Sequence, residues 1–334
     1  MNRKISISEH IEAVKNNQII GEIKEIIKNT SKYDTYYFSS NLEANYYIFN
    51  EDCREGLKKI SNNFIDIIIT DPPYFTDGMD DAWNDTKLKS RTKYSNVIGT
   101  IPAGMKFDRK QGKNLQNFLE PICKELFRIL KPGGFCIMFS QGRLYHRMAM
   151  SLDLAGFEIR DLMAWKYEGQ PKAFSQDHFI RKDKNKTESE KEKLISELKG
   201  LKTPQLKPQM EPMTLAQKPK EGTFVSNWEK YKVGLMNTNE SLDGKFPGNV
   251  MEVSKRIRIN ETNEKIEHMT IKPVHLISHL IRLFTKEGQI VLDPFLGSGS
   301  HAVASIINNR NFIGYEIEKK YFDIAKKRLD NLYT

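Results

Sequence analysis

The stretch "QIVLDPFLGSGSHAVASI", Gln289 to Ile306, changes character twice. "QIVLD" is a β-prone apolar run closed by an acid. Gly297 and Gly299 then permit a tight turn and a close backbone approach to a ligand. "HAVASIINN" follows with a helical pattern. The next strand-like run, "NFIGYEI" (311–317), carries Glu316 near its end. Strand, glycine turn, helix and a second strand with a terminal acid is how α/β proteins hold ligands bearing a ribose. The acid accepts hydrogen bonds from the ribose hydroxyls. The third glycine of a nicotinamide fingerprint is replaced by Ala302, and the leading "DPF" is also foreign to that fingerprint.

The same alternation runs through much of the chain. Strand-like runs occur at "YYIFN" (46–50), "FIDIIIT" (64–70), "GFCIMFS" (134–140) and "FEIRDLMAWKY" (157–167). Several are near-continuous apolar runs, which suits parallel strands covered on both faces. "LQNFLEPICKELFRIL" has helical periodicity and stops at "KPGG"; "KKYFDIAKKRLDNL" is a further helix. This predicts an α/β fold with a mostly parallel sheet and helices on both faces. The middle differs. Residues 168–210 hold a mixed-charge helical stretch and a proline-spaced loop, and 220–268 are irregular. They read as an insertion or a small second module between two halves of an α/β domain.

Composition bounds the rest. The 334 residues are 39% hydrophobic and 28% charged, as in a soluble globular protein. No apolar run reaches the roughly 18 residues of a membrane span, and the polar N-terminus lacks a signal-peptide core. A cytoplasmic protein is expected. The three cysteines, Cys53, Cys123 and Cys136, have neither metal-site nor disulfide spacing. His275 and His279 share a helix without a carboxylate partner, so no metal is expected. The net charge of +9 favours a polyanionic partner, although Lys- and Asn-rich usage also follows from an AT-rich genome.

The run "FIDIIIT" ends abruptly in "DPPYFTDG". Proline removes a backbone donor and fixes φ, so the strand stops at Asp71. Its tip then offers a carboxylate from Asp71, a carbonyl from Pro72, the rigid Pro73 and the flat ring of Tyr74. An acid, two rigid residues and an aromatic where a buried strand meets solvent make this tip a candidate for chemistry rather than a plain turn.

Together, "DPPY" and "DPFLGSGS" resemble the S-adenosylmethionine-dependent amino-methyltransferases of DNA. The tetrapeptide resembles their catalytic motif, and "FLGSG" resembles the F-x-G-x-G turn that binds the cofactor. The catalytic motif precedes the cofactor turn here, as in the β group of that family. The resemblance covers roughly residues 46–334. It implies a circularly permuted methyltransferase fold: a variable segment over 1–45, a catalytic half over 46–167, a target-recognition insertion over 168–268 with an antiparallel edge strand near 211–218, and a cofactor-binding half over 269–334. It implies catalytic roles for Asp71, Pro72, Pro73 and Tyr74. It implies cofactor contacts from Asp52, Cys53, Asp71, Thr270, Lys272, Asp293, Phe295, Gly297, Ser298, Gly299, Ser300, Glu316 and Ile317. Asp52 reads equally as a helix N-cap, and Asp293 also as a strand-capping acid.

The implied reaction is methyl transfer to the N6 amine of adenine in double-stranded DNA after base flipping. Asp at the first motif position is the more usual adenine-type choice, and cytosine N4 is the alternative. The long loop after the motif, through Lys87, Lys89, Arg91 and Lys93, is a candidate DNA contact. A homodimer and a cognate restriction endonuclease remain open as partners.

Overall fold

The computed structural model describes residues 44–73, 92–95, 99–102, 109–242, 244–253 and 271–333. Among these residues ten strands are formed: β1 (Tyr46–Phe49), β2 (Ile65–Thr70), β3 (Thr92–Ser95), β4 (Gly99–Pro102), β5 (Leu130–Phe139), β6 (Glu158–Lys166), β7 (Met210–Gln217), β8 (Val250–Glu252), β9 (Ile290–Asp293) and β10 (Asn311–Tyr315). Eight of them make one sheet in the order β1-β10-β9-β2-β5-β7-β6-β8. Only β7 runs antiparallel to its neighbours in that sheet. The α/β expectation therefore holds.

β1, β2, β9 and β10 are buried along their whole length, as strands covered on both faces are. Every residue of β2 is buried, although its sequence does not alternate. One face packs a core that includes Ile68, Cys136, Leu292 and Leu126 of the helix Arg109–Ile129. The other packs Ile67, Ile137, Val291 and residues of the helices Val274–Phe284 and Ser300–Ile307. The helix Lys319–Asp330 also lies against this second core through Phe322, Ala325 and Leu329.

Three expectations need refinement. The helix stops before "KPGG" as expected, but "KPGG" itself lies within β5, where pairing with β2 jumps from Leu130 to Phe135 and residues 131–134 bulge out. Gly133 takes φ +81° there, and Asn227 of the helix Phe224–Tyr231 donates to the Pro132 carbonyl at 3.0 Å. The strand expected at the sheet edge near 211–218 is antiparallel but interior. It pairs with β5 on one side and β6 on the other, while β8 adds beyond β6. Its residues Met213–Gln217 are all buried, which an edge position does not provide. The segment read as one long loop after Tyr74 contains an antiparallel pair, β3 with β4. Thr92, Tyr94, Thr100 and Ile101 are strand-favouring residues, and they form its ladder.

Candidate active site

The two halves of the chain meet where β2 pairs with β9, Ile67 opposite Val291 and Ile68 opposite Leu292. Parallel pairing brings both carboxyl ends to one rim, the usual place for a site in such a sheet. Thr70 Oγ1 there donates to Asp293 Oδ1 at 2.7 Å, and the Phe295 N–H donates to the same oxygen at 2.9 Å. The second Asp293 oxygen meets His301 Nδ1. Asp293 is fully buried, so its side chain ties the tips of β2 and β9 to the helix after the turn.

The turn itself needs glycine. Gly297 and Gly299 have φ of +55° and +83°. A Cβ on Gly299 would stand 2.9 Å from the Ala325 Cβ. Arg328, buried on the same helix as Ala325, donates to the Ser298 carbonyl at 2.7 Å and to Ser300 Oγ at 3.1 Å. Ser298 and Ser300 are thereby held from behind.

Glu316 closes the other side of the turn. Its two oxygens accept from the N–H groups of Gly297 and Glu318, each at 2.8 Å. Burial pushes its carboxyl up to about 7; these two bonds pull the other way, and the nearby Asp293 and Glu318 carboxylates add to the rise. Asn50, just past β1, donates to the Glu316 carbonyl at 2.7 Å and anchors that strand end. Ile317 is 62% exposed, and the half-buried Phe295 lies 6.1 Å from Phe118, centroid to centroid. Apolar surface thus flanks the acid. Asp52 N-caps the short helix Cys53–Gly56, accepting from Arg54 N at 2.9 Å. Its carboxyl is held below the usual range, chiefly by hydrogen bonding to the Arg54 side chain. Cys53 is buried behind it.

Asp71 stands just past the tip of β2 with Pro72, which is buried, and Pro73, which is half-buried. The ammonium of Lys272 contacts Asp71 Oδ2 and lies 2.9 Å from Glu211 Oε1. It also lies 5.1 Å from the centre of the Phe139 ring. Lys272 is only 4% exposed. Burial alone would lower its pKa, but the two carboxylates outweigh it and raise the pKa above the ordinary value. Glu211 reaches this rim because β7 is antiparallel: its first residues, not its last, lie where the parallel strands end.

The DNA methylase profile matches residues 65–327. The chain belongs to the DNA methylase family. It is a DNA methyltransferase of the N6/N4 group. Among curated relatives, it is 32% identical over 302 residues to the Type II methyltransferase M.HindIII of Haemophilus influenzae, covering 84% of this chain and 94% of that one. It is 27% identical to M.HinfI of Haemophilus influenzae, covering 84% of this chain and 67% of that one. The cytosine-N4-specific PvuII DNA methyltransferase shares the fold with a TM-score of 0.55 at 15% identity, over 87% of this chain and 90% of that one. So does TTHA0409 of Thermus thermophilus, solved with S-adenosyl-L-methionine, with a TM-score of 0.51 at 17% identity, over 87% and 94%.

In this DNA methylase, Asp71, Asp293 and Lys272 converge at one rim with the turn of Gly297 to Ser300. Tyr74, Thr270, Lys87, Lys89 and Arg91 lie outside the described residues, as does the side chain of Lys93. Sequence reasoning passed over Glu211, Thr70, His301, Arg328 and Asn50. Arg328 carried a readable signal, since it shares a helical face with the apolar Phe322, Ala325 and Leu329. Glu211 carried a weaker one, an acid beside proline at the start of an apolar strand.

Proposed function

We propose that this protein methylates the N6 amine of adenine in double-stranded DNA. Asp71, a carboxylate fixed at the tip of a fully buried strand beside the glycine turn, supports transfer to an exocyclic amine, and Asp at that motif position is the more usual adenine-type choice. S-adenosylmethionine is the cofactor, and when bound it supplies an electrophilic methyl group on a sulfonium. The residues present fit it. Glu316 is an acceptor poised for ribose hydroxyls, with apolar surface at Ile317 and Phe295 on which a nucleobase can rest.

The chain's own residues prepare the nucleophile. Asp71 and the Pro72 carbonyl accept hydrogen bonds from the exocyclic amine, drawing its lone pair out of conjugation and toward attack. The prolines hold these acceptors in place beforehand, so little ordering is left for the transition state. Tyr74 provides a face for the extruded base. The insertion over 168–268 and the basic residues Lys87, Lys89, Arg91 and Lys93 hold the duplex, the cations meeting phosphates.

Incubation with S-adenosylmethionine and unmethylated duplex DNA, followed by digestion to nucleosides and mass spectrometry, tests the choice of base. N6-methyladenine is expected. N4-methylcytosine would instead establish the alternative, since both amines need the same acceptors.

A further inference from the structure

We propose that Lys272 and Glu211 are positioning residues that hold Asp71 ionised and correctly aimed through the catalytic cycle. This rests on the reading of Asp71 as the acceptor for the amine.

Three separate elements contribute. Asp71 immediately follows β2, Glu211 lies at the start of β7, and Lys272 immediately precedes Pro273 and the helix Val274–Phe284. The side chains of Asp71 and Glu211 are each 14% exposed and that of Lys272 is 4% exposed. A buried ammonium is tolerated only when paired. Two carboxylates share this one, so the three groups together carry one negative charge, and Lys272 cannot leave Asp71 without stranding a charge at low dielectric.

The charged and titratable groups around Asp71, among the described residues, define what sets its ionisation. Lys272 favours the carboxylate and Glu211 opposes it. Burial, and then the nearby Glu211 carboxylate, raise the pKa of Tyr167, just past β6, and it stays neutral. Asp293 is bonded to Thr70, the residue before Asp71, and is met by His301. The ammonium thus offsets negative charge at a rim otherwise rich in carboxylates. A carboxylate held this way is a weak base and a steady hydrogen-bond acceptor. That suits activation of an amine whose hydrogens must be accepted before they are released.

Opposite shifts from the two partners distinguish positioning from mere structural support. Single-turnover transfer of labelled methyl from saturating S-adenosylmethionine into DNA of a methylation-deficient bacterium is measured against pH. Saturation removes the titration of Glu316 from the profile. Lys272→Met keeps the packing on Phe139 and removes the charge, so the acid limb should move up by about 1–3 pH units. Glu211→Gln should move that limb down, and Lys272→Arg should leave it at its wild-type position. A Lys272→Met profile that falls uniformly with no shift overturns the inference. So does a Glu211→Gln shift in the same upward direction. If Lys272→Met does not fold, the Glu211→Gln and Lys272→Arg profiles decide alone. Wild-type protein that labels no DNA defeats the underlying reading of Asp71, an outcome separate from labelled DNA with unshifted profiles.

Discussion

Lys272 and Asp71, 201 positions apart in the chain, form a buried ion pair that Glu211 extends to a triad. Removing the cation strands two carboxylates at once. Lys272→Ala is therefore expected to cost about 3–5 kcal/mol of stability, the usual penalty for breaking a buried pair from one side. The double change Lys272→Met with Glu211→Gln should recover part of that loss. Denaturant unfolding of the three proteins checks it; a double variant no more stable than Lys272→Ala would count against a shared electrostatic origin.

Asp71→Ala should reduce methyl transfer by about 10²–10³-fold, as for loss of one preorganised partner of the reacting group. Cofactor binding, measured by calorimetry, should survive, because the glycine turn and Glu316 are anchored by β9 and β10 rather than by Asp71. Near-normal transfer by a folded Asp71→Ala protein would remove Asp71 from the mechanism.

The proposed contact of Glu316 with the cofactor ribose should make cofactor affinity depend on pH. Its carboxyl lies at about 7 rather than the ordinary 4.5, so it is largely protonated at pH 6. Ribose hydroxyls donate to the ionised form, so binding should tighten as pH rises through 7 and level off above it. Affinity at pH 6 should be about tenfold below that at pH 8, one pH unit below the pKa corresponding to a factor of ten. Glu316→Gln should weaken binding about 10–100-fold, for roughly 1.5–3 kcal/mol of charge-assisted hydrogen bonding, and flatten the pH dependence. Calorimetric titrations across that range decide the matter.

Arg328 supports the turn from the last long helix. Arg328→Met leaves the buried Ser298 carbonyl without its 2.7 Å donor. A loss of about 1–3 kcal/mol in stability is expected for an unsatisfied buried group, together with weaker cofactor binding. Gly299→Val should be worse, combining φ of +83° with a Cβ placed 2.9 Å from Ala325. Melting curves with and without S-adenosylmethionine separate the two effects; an unchanged shift on cofactor addition in Arg328→Met would mean the turn holds itself.

Joint replacement of Lys87, Lys89, Arg91 and Lys93 by neutral residues should weaken DNA binding and flatten its salt dependence. Every phosphate that is no longer neutralised should reduce the slope of log K against log salt by about 0.9. Fluorescence anisotropy over a salt series gives that slope directly, and an unchanged value would place the duplex elsewhere.

Much of this molecule was written locally. Apolar runs with β-prone residues marked β1, β2, β5, β6, β9 and β10, and the tetrapeptide at Asp71 and the glycines at 297 and 299 marked the rim. Strand propensity, proline's fixed φ and glycine's left-handed freedom act over a few residues, so a sequence displays them. Pairing does not act locally. The β2–β9 register that joins Thr70 to Asp293, 223 positions apart, depends on which buried surfaces fit together. The interior antiparallel place of β7 delivers Glu211 to the rim, and no short-range pattern specifies it. Sequence alone determined that Asp71 sits on a strand tip and that the protein has the family's two motifs. Only the tertiary structure decided that Lys272 and Glu211 stand beside that aspartate, because a buried charge finds its partners in space rather than along the chain.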